Sequence, residues 1–123
     1  MGRPDFENLQ IYKLSEKLAN EIWVIVKEWE YFAQDTVGKQ IVRSADSVGA
    51  NIAEGNGRYN IRDNQRFIKI AKGSLYETIH WLRLAYYRQL MTDKQVQKLK
   101  PILDELSPKL SAYLNSLNKE KTQ

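Results

Sequence analysis

Apolar residues recur along this chain at steps of three and four, in four separate blocks. In the first, Ile11, Leu14, Leu18, Ile22, Ile25 and Trp29 form one line, which at 3.6 residues per turn is one side of an amphipathic helix. A second line, Tyr12, Ala19, Trp23 and Val26, widens that side. Together they predict a helix over about residues 8–30 with protein on both flanks. The second block carries Ile41, Ala45, Val48 and Ile52. It predicts a helix over about 36–56, with Thr36 as N-cap and a left-handed glycine at Gly55 to Gly57 as its close. The third carries Phe67, Ala71, Leu75, Ile79, Leu82 and Tyr86. Asn60 is its expected N-cap, with Asp63 three residues on as an acidic capping box, and its span is about 61–90.

The fourth block, about 93–118, alternates strictly: Val96, Leu99, Leu103, Leu106, Leu110, Tyr113 and Leu117. That is a 3.5-residue repeat, the mark of a seam packed at a shallow angle. Pro101 and Pro108 each remove a backbone donor, so the expectation is a kinked or broken fourth helix, with a frayed polar tail over 119–123. No useful period-two alternation occurs. Four helices joined by short turns predict an all-α fold, one domain built as an up-down-up-down four-helix bundle.

The second helix also carries a polar line: Ser44, Ser47, Asn51, Glu54 and Arg58, again at steps of three and four. Gly49 and Ala50 on it, and Gly73 and Ser74 on the third helix, are small residues inside helices, where glycine costs about 1 kcal/mol against alanine. The expected return is close approach of those two helices. Ser44, Ser47, Asn51, Glu54, Ser74 and Glu77 would then form a polar seam that satisfies its own hydrogen bonds; the same face could instead meet a second subunit. Three tryptophans and seven tyrosines are more than one small core absorbs easily, and large aromatics are common at interfaces. A homo-oligomer is the expectation.

Charge adds direction. Residues 1–35 sum to −3, residues 36–90 to +5 and residues 91–123 to +2, for a net charge of +4. Within the basic middle, Arg62, Arg66 and Lys69 share one face of the third helix, near Arg58, Tyr59 and Lys72, with Arg43 on the second. Basic and aromatic residues together can grip phosphates and stack on unpaired bases, so these six cations are the candidate RNA- or DNA-binding set. The bland alternative is that Arg58 and Arg62 pair with acids such as Glu54 while the rest are solvated. There is no cysteine, no leader-like apolar start and no stretch of about 20 apolar residues. A cytoplasmic protein with no membrane association is expected.

No catalytic constellation emerges. Glu77 and His80 have the spacing of half a di-iron carboxylate site, but the chain has one histidine. Ser44, Ser47 and Ser74 have no histidine at a recognisable spacing. The glycines at 55 and 57 follow a helix rather than a strand, unlike a phosphate loop. The expectation is a non-enzymatic protein with no metal and no cofactor.

The run Gln40-Ile-Val-Arg-Ser-Ala-Asp-Ser-Val-Gly-Ala-Asn-Ile-Ala-Glu-Gly-Asn-Gly-Arg58, with Phe67-Ile-Lys-Ile-Ala-Lys-Gly-Ser74 and Glu77, closely resembles the bacterial four-helix-bundle proteins, also called 23S ribosomal-RNA intervening-sequence proteins. Asp5-Phe6-Glu-Asn-Leu9 with Tyr12 fits the family's start, and the resemblance spans about residues 5–117. It implies an all-helical bundle that assembles into a ring-like homopentamer, with no established catalytic activity. A more distant resemblance, to the pentameric accessory proteins of diversity-generating retroelements, implies nucleic acid as a partner. The alternative role is a protein-interaction scaffold. Pro101 and Pro108 depart from the family's pattern.

Overall fold

The computed structural model describes residues 5–122. After a short turn of 3-10 helix at Asp5–Asn8, α1 spans Gln10–Val26. Helix α2 is assembled from three contiguous pieces: Tyr31–Ala33, a π-helical turn at Gln34–Gly38, and Lys39–Asn56. Helix α3 spans Ile61–Tyr87 and α4 spans Asp93–Thr122. Among the described residues there is no strand. Each helix packs on two others, α1 on α2 and α4, and α3 on α2 and α4.

Pairs of contacts show that neighbours run antiparallel. The α2–α3 contact joins Ser47 to Ser74 and Ser44 to Thr78, and α1–α4 joins Glu21 to Lys98 and Gln10 to Lys109. The α3–α4 contact joins Tyr86 to Asp93 and Gln65 to Asn118. This is the up-down-up-down order. At its centre lie Leu18, Ile22, Ile41, Val48, Ile52, Ile68, Leu75, Leu99, Leu106 and Leu110, all essentially fully buried. Each such side chain contributes about 1.5–3 kcal/mol on leaving water.

Several boundaries differ from the sequence expectation, each for a local reason. Helix α1 ends at Val26 because the Gln34 amide donates to the carbonyls of Val26 and Lys27, satisfying the end of the helix from outside it. Helix α2 begins at Tyr31 rather than near Thr36. The Thr36 hydroxyl is not a cap; it donates back to the Phe32 carbonyl at 2.7 Å, inside the π turn. Gly38 is required there, since a Cβ would lie 2.8 Å from Val26 Cγ1.

No left-handed glycine closes α2: Gly57 has φ −78°. Among the described residues the left-handed one is Gln89, φ 63°, after α3. Its N–H bonds the Tyr86 carbonyl while that of Leu90 bonds the Ala85 carbonyl, a Schellman close that ends α3 at Tyr87, before the expected 90. Asn60 is the N-cap as expected, accepting from the backbone N–H of Arg62 and Asp63. Thr92 and Gln95 form a reciprocal capping box at the start of α4.

Helix α4 is not broken. Pro101 and Pro108 are seven residues apart on its exposed side, and Gln97 and Asp104, whose carbonyls they deprive of helical partners, are exposed residues too. Leu99, Ile102, Leu106 and Leu110 bury the other side and offset the cost of the prolines. The tail expected to fray is helical through Thr122; Gln123 lies outside the described residues. The buried stripe of α3 is also rotated from the expected one. Ile68 and Thr78 are in the core, while Tyr86 is 44% exposed.

Candidate nucleic-acid interface

The turn between α2 and α3 gathers most of the candidate cations. Arg58 leaves α2 with its guanidinium 2.6 Å from Glu54 Oε1 and 5.0 Å from the centre of the Phe67 ring. Arg66, one turn into α3, lies 4.8 Å from the same ring and 3.9 Å from Asp63 Oδ1. Half-buried Phe67 therefore aligns two guanidiniums, at about 0.5–1 kcal/mol per exposed cation–π contact. Arg62 and Lys69 are exposed and, among the described residues, have no acidic partner. With Arg66, Gln65 and Ile70 they line a hollow of about 530 Å³ on the outer face of α3.

Two of the six candidates stand apart. Lys72 is half-buried, one turn further along α3. Arg43 lies fifteen residues before Arg58 on α2, roughly 22 Å along the axis at 1.5 Å per residue. It lines a different hollow, with Trp23, Tyr31 and Lys39. The structure thus brings Arg58, Arg62, Arg66 and Lys69 together, and two of those four are partly neutralised by Glu54 and Asp63. The N-terminus of α3 is spent as an anion site, because Asn60 occupies its free N–H groups and Asp63 complements its dipole.

The polar seam is real but shorter than expected. Ser47 and Ser74 hydroxyls meet at 2.9 Å, and Asn51 donates to the Ser47 hydroxyl and carbonyl. Ser44 accepts from Thr78 at 2.9 Å. Glu54 is not part of it, being exposed and held by Arg58. Glu77 is not either; it is exposed and accepts from the Trp81 indole N–H at 3.1 Å. A carboxylate at either position would have to shed its hydration to join the seam, and water wins. Thr78 was missed, although its step of four from Ser74 was the available signal. So was Phe67's part in positioning Arg58 and Arg66.

Close approach occurs, but not where the small residues first suggest. A Cβ on Gly49 would lie 3.0 Å from Ser15 Oγ on α1, and one on Gly55 would lie 2.7 Å from Asn64 Oδ1 and 2.9 Å from Phe67 Cβ on α3. A Cβ on Gly73 would meet nothing within 4 Å among the described residues. Its neighbours on the outer face of α3, Ile70 and Tyr76, are 43% and 56% exposed. A second exposed apolar patch, Trp23, Val24, Tyr31 and Phe32, lies where α1 ends and α2 begins. So the second apolar line of α1 is only partly covered within one chain.

His80 packs edge-on against Trp81, ring centres 4.9 Å apart, and among the described residues no three His, Cys, Asp or Glu side chains converge. Among the same residues, no helix is long and apolar enough to cross a membrane. Two phenols are perturbed. Partial burial, then Glu16, holds Tyr12 above its ordinary value, and a hydrogen bond to Asp93 does the same for Tyr86.

Residues 7–112 match the sequence profile described as 23S rRNA-intervening sequence protein. The fold is similar to the crystal structure of a protein with unknown function from the S23 ribosomal protein family of Bacteroides thetaiotaomicron VPI-5482. The two are 26% identical, with a TM-score of 0.75 over 85% of this chain and 97% of that one. Among curated proteins there is no match.

Proposed function

The chain belongs to the 23S rRNA-intervening sequence protein family, and from that premise we propose that it is a non-enzymatic, homo-oligomeric bundle that binds RNA or DNA through the basic edge at the α2–α3 turn. The observation that carries this reading is the exposed row Arg62, Arg66 and Lys69 on one face of α3, of which Arg62 and Lys69 have no acidic partner among the described residues. Phosphates are the natural counter-charge, and binding through them releases counterions and weakens steeply with salt. A cytoplasmic location fits such a ligand. A non-catalytic role is supported by the use of the hydroxyls: Ser15, Ser44, Ser47, Ser74 and Thr78 are all spent on structural hydrogen bonds.

Self-association is supported by Gly73. A glycine inside a helix costs about 1 kcal/mol, and among the described residues nothing approaches Gly73 closely enough to return that cost. A second copy laid against Ile70, Gly73 and Tyr76 would. In a closed ring, with a pentamer the expected size, the basic edges would gather on one rim and add avidity. Light scattering coupled to size exclusion should give the mass of a pentamer; a monomer at micromolar concentration would overturn the assembly.

Filter binding of structured RNA at rising salt tests the ligand. Affinity should fall steeply with salt, and charge reversal of Arg62, Arg66 and Lys69 should abolish it. Salt-independent binding, or none at low salt, would end the reading. The exposed Trp23, Val24, Tyr31 and Phe32 favour a second reading, a protein-interaction scaffold, in which partner capture survives that charge reversal and is lost on Trp23→Ala with Phe32→Ala.

A further inference from the structure

Tyr59 is fully exposed, yet the turn that carries it is held on both sides. On one side the Arg58 N–H bonds the Gly55 carbonyl while its side chain is fixed by Glu54 and Phe67. On the other, Asn60 caps α3 through two backbone N–H groups. An aromatic ring is thus presented to water from an anchored backbone and, among the described residues, packs on nothing. Beside it is a hollow of about 470 Å³ lined by Glu54, Gly57, Arg58, Asn60 and Asp63. Two carboxylates make that hollow a poor phosphate site. Each is engaged through one oxygen, Glu54 Oε1 and Asp63 Oδ1, which leaves the other oxygen of each as an acceptor.

We infer that this hollow takes an unpaired nucleobase bearing an exocyclic amino group, stacked on Tyr59, while Arg62, Arg66 and Lys69 hold the flanking phosphates. The inference rests on the nucleic-acid reading above and narrows it to single-stranded segments. A ring face stacks on any unpaired base, and a paired base inside a duplex offers no such face. The carboxylate oxygens add a choice among bases, since the cytosine amino group donates to them where the uracil carbonyl at the same position repels them.

The test is fluorescence anisotropy with short labelled oligo-C and oligo-U RNAs, the matching deoxy strands, a duplex of equal charge, and heparin as a polyanion without bases. The expected order is oligo-C above oligo-U above duplex, with ribose and deoxyribose strands of one sequence bound alike, because the base and phosphate contacts are common to both. Tyr59→Ala should weaken oligo-C by about 5- to 150-fold, as loss of one stacked base does, and change duplex and heparin binding by less than about twofold. Tyr59→Phe should retain the wild-type order. Because the Tyr59 side chain is fully exposed, these variants stay folded, and circular dichroism checks that directly. Equal binding of strands and duplex, a requirement for ribose, or a silent Tyr59→Ala overturns this inference while leaving the basic edge intact. Failure to bind any probe, heparin included, at low salt overturns the basic edge itself.

Discussion

The α2–α3 and α3–α4 contacts share a helix but are built by opposite means. Between α2 and α3, small residues let the backbones close and a short hydrogen-bonded ladder, Ser44–Thr78 and Ser47–Ser74, sits in the gap. Between α3 and α4, leucines of the 3.5-residue seam meet larger side chains. At the C-terminal end of α3 the contact stays open, leaving a groove of about 540 Å³ floored by Ile79, Leu82, Met91, Val96, Leu99 and Leu103. Small polar residues specify one register, because a slip would strand buried hydroxyls. Leucine seams specify burial and tolerate a gap.

The largest expected effect tests the leucine seam. Leu106→Ala, at a fully buried site, should cost about 2–5 kcal/mol in a urea melt, whereas Leu103→Ala on the groove floor should cost clearly less. Equal costs would mean that the groove is closed in solution. Gly55→Ala comes next. Its Cβ would meet the Asn64 backbone and Phe67, so a loss of about 1–3 kcal/mol follows from overpacking. It would also shift Phe67, and with it the two guanidiniums.

Much of this was legible in the chain, and the reasons it was or was not are physical. Periodicity is a local property, so four helices and their antiparallel order could be read before any contact was known. Whether a small residue marks a close contact is not local. Gly49, Gly55 and Gly73 look alike in sequence, but the first abuts α1, the second abuts α3 and the third faces open space. Glu54 and Glu77 fell on the polar line by spacing. Both are exposed, because spacing does not say how far a side chain lies from the contact.

A smaller effect probes the ladder. Thr78→Val keeps the shape but leaves the Ser44 hydroxyl without its donor, which should cost about 1–2 kcal/mol; Ser44→Ala combined with Thr78→Val should recover part of that loss in a double-mutant cycle. Gly73→Ala separates the two sides of α3. Helix propensity should give a gain of up to about 1 kcal/mol while, under the proposed self-association, the mass in solution falls; an unchanged mass would remove this face from that proposal.

The smallest effect is at Asp46, whose carboxyl partial burial holds above its ordinary 3.8. A raised folded value means that protonation favours the fold. That contribution is complete below 3.8 and is lost as pH rises through the folded value. Asp46→Asn should therefore stabilise by no more than about 0.5 kcal/mol at neutral pH, as befits a surface site, and by nothing below pH 3.8. A gain that persists in acid would point to a different cause.

By itself the sequence determined the helices, their order, the leucine seam, the Asn60 cap and the location of the basic excess, because each depends on residues within a turn or two of one another. Only the tertiary structure decided which cations stand together, that Arg43 lies about four helical turns from Arg58, that α4 runs unbroken through its prolines, and that Tyr59 is fully exposed. Those outcomes depend on which side of a helix meets a neighbour, and that is set by the packing of all four helices at once.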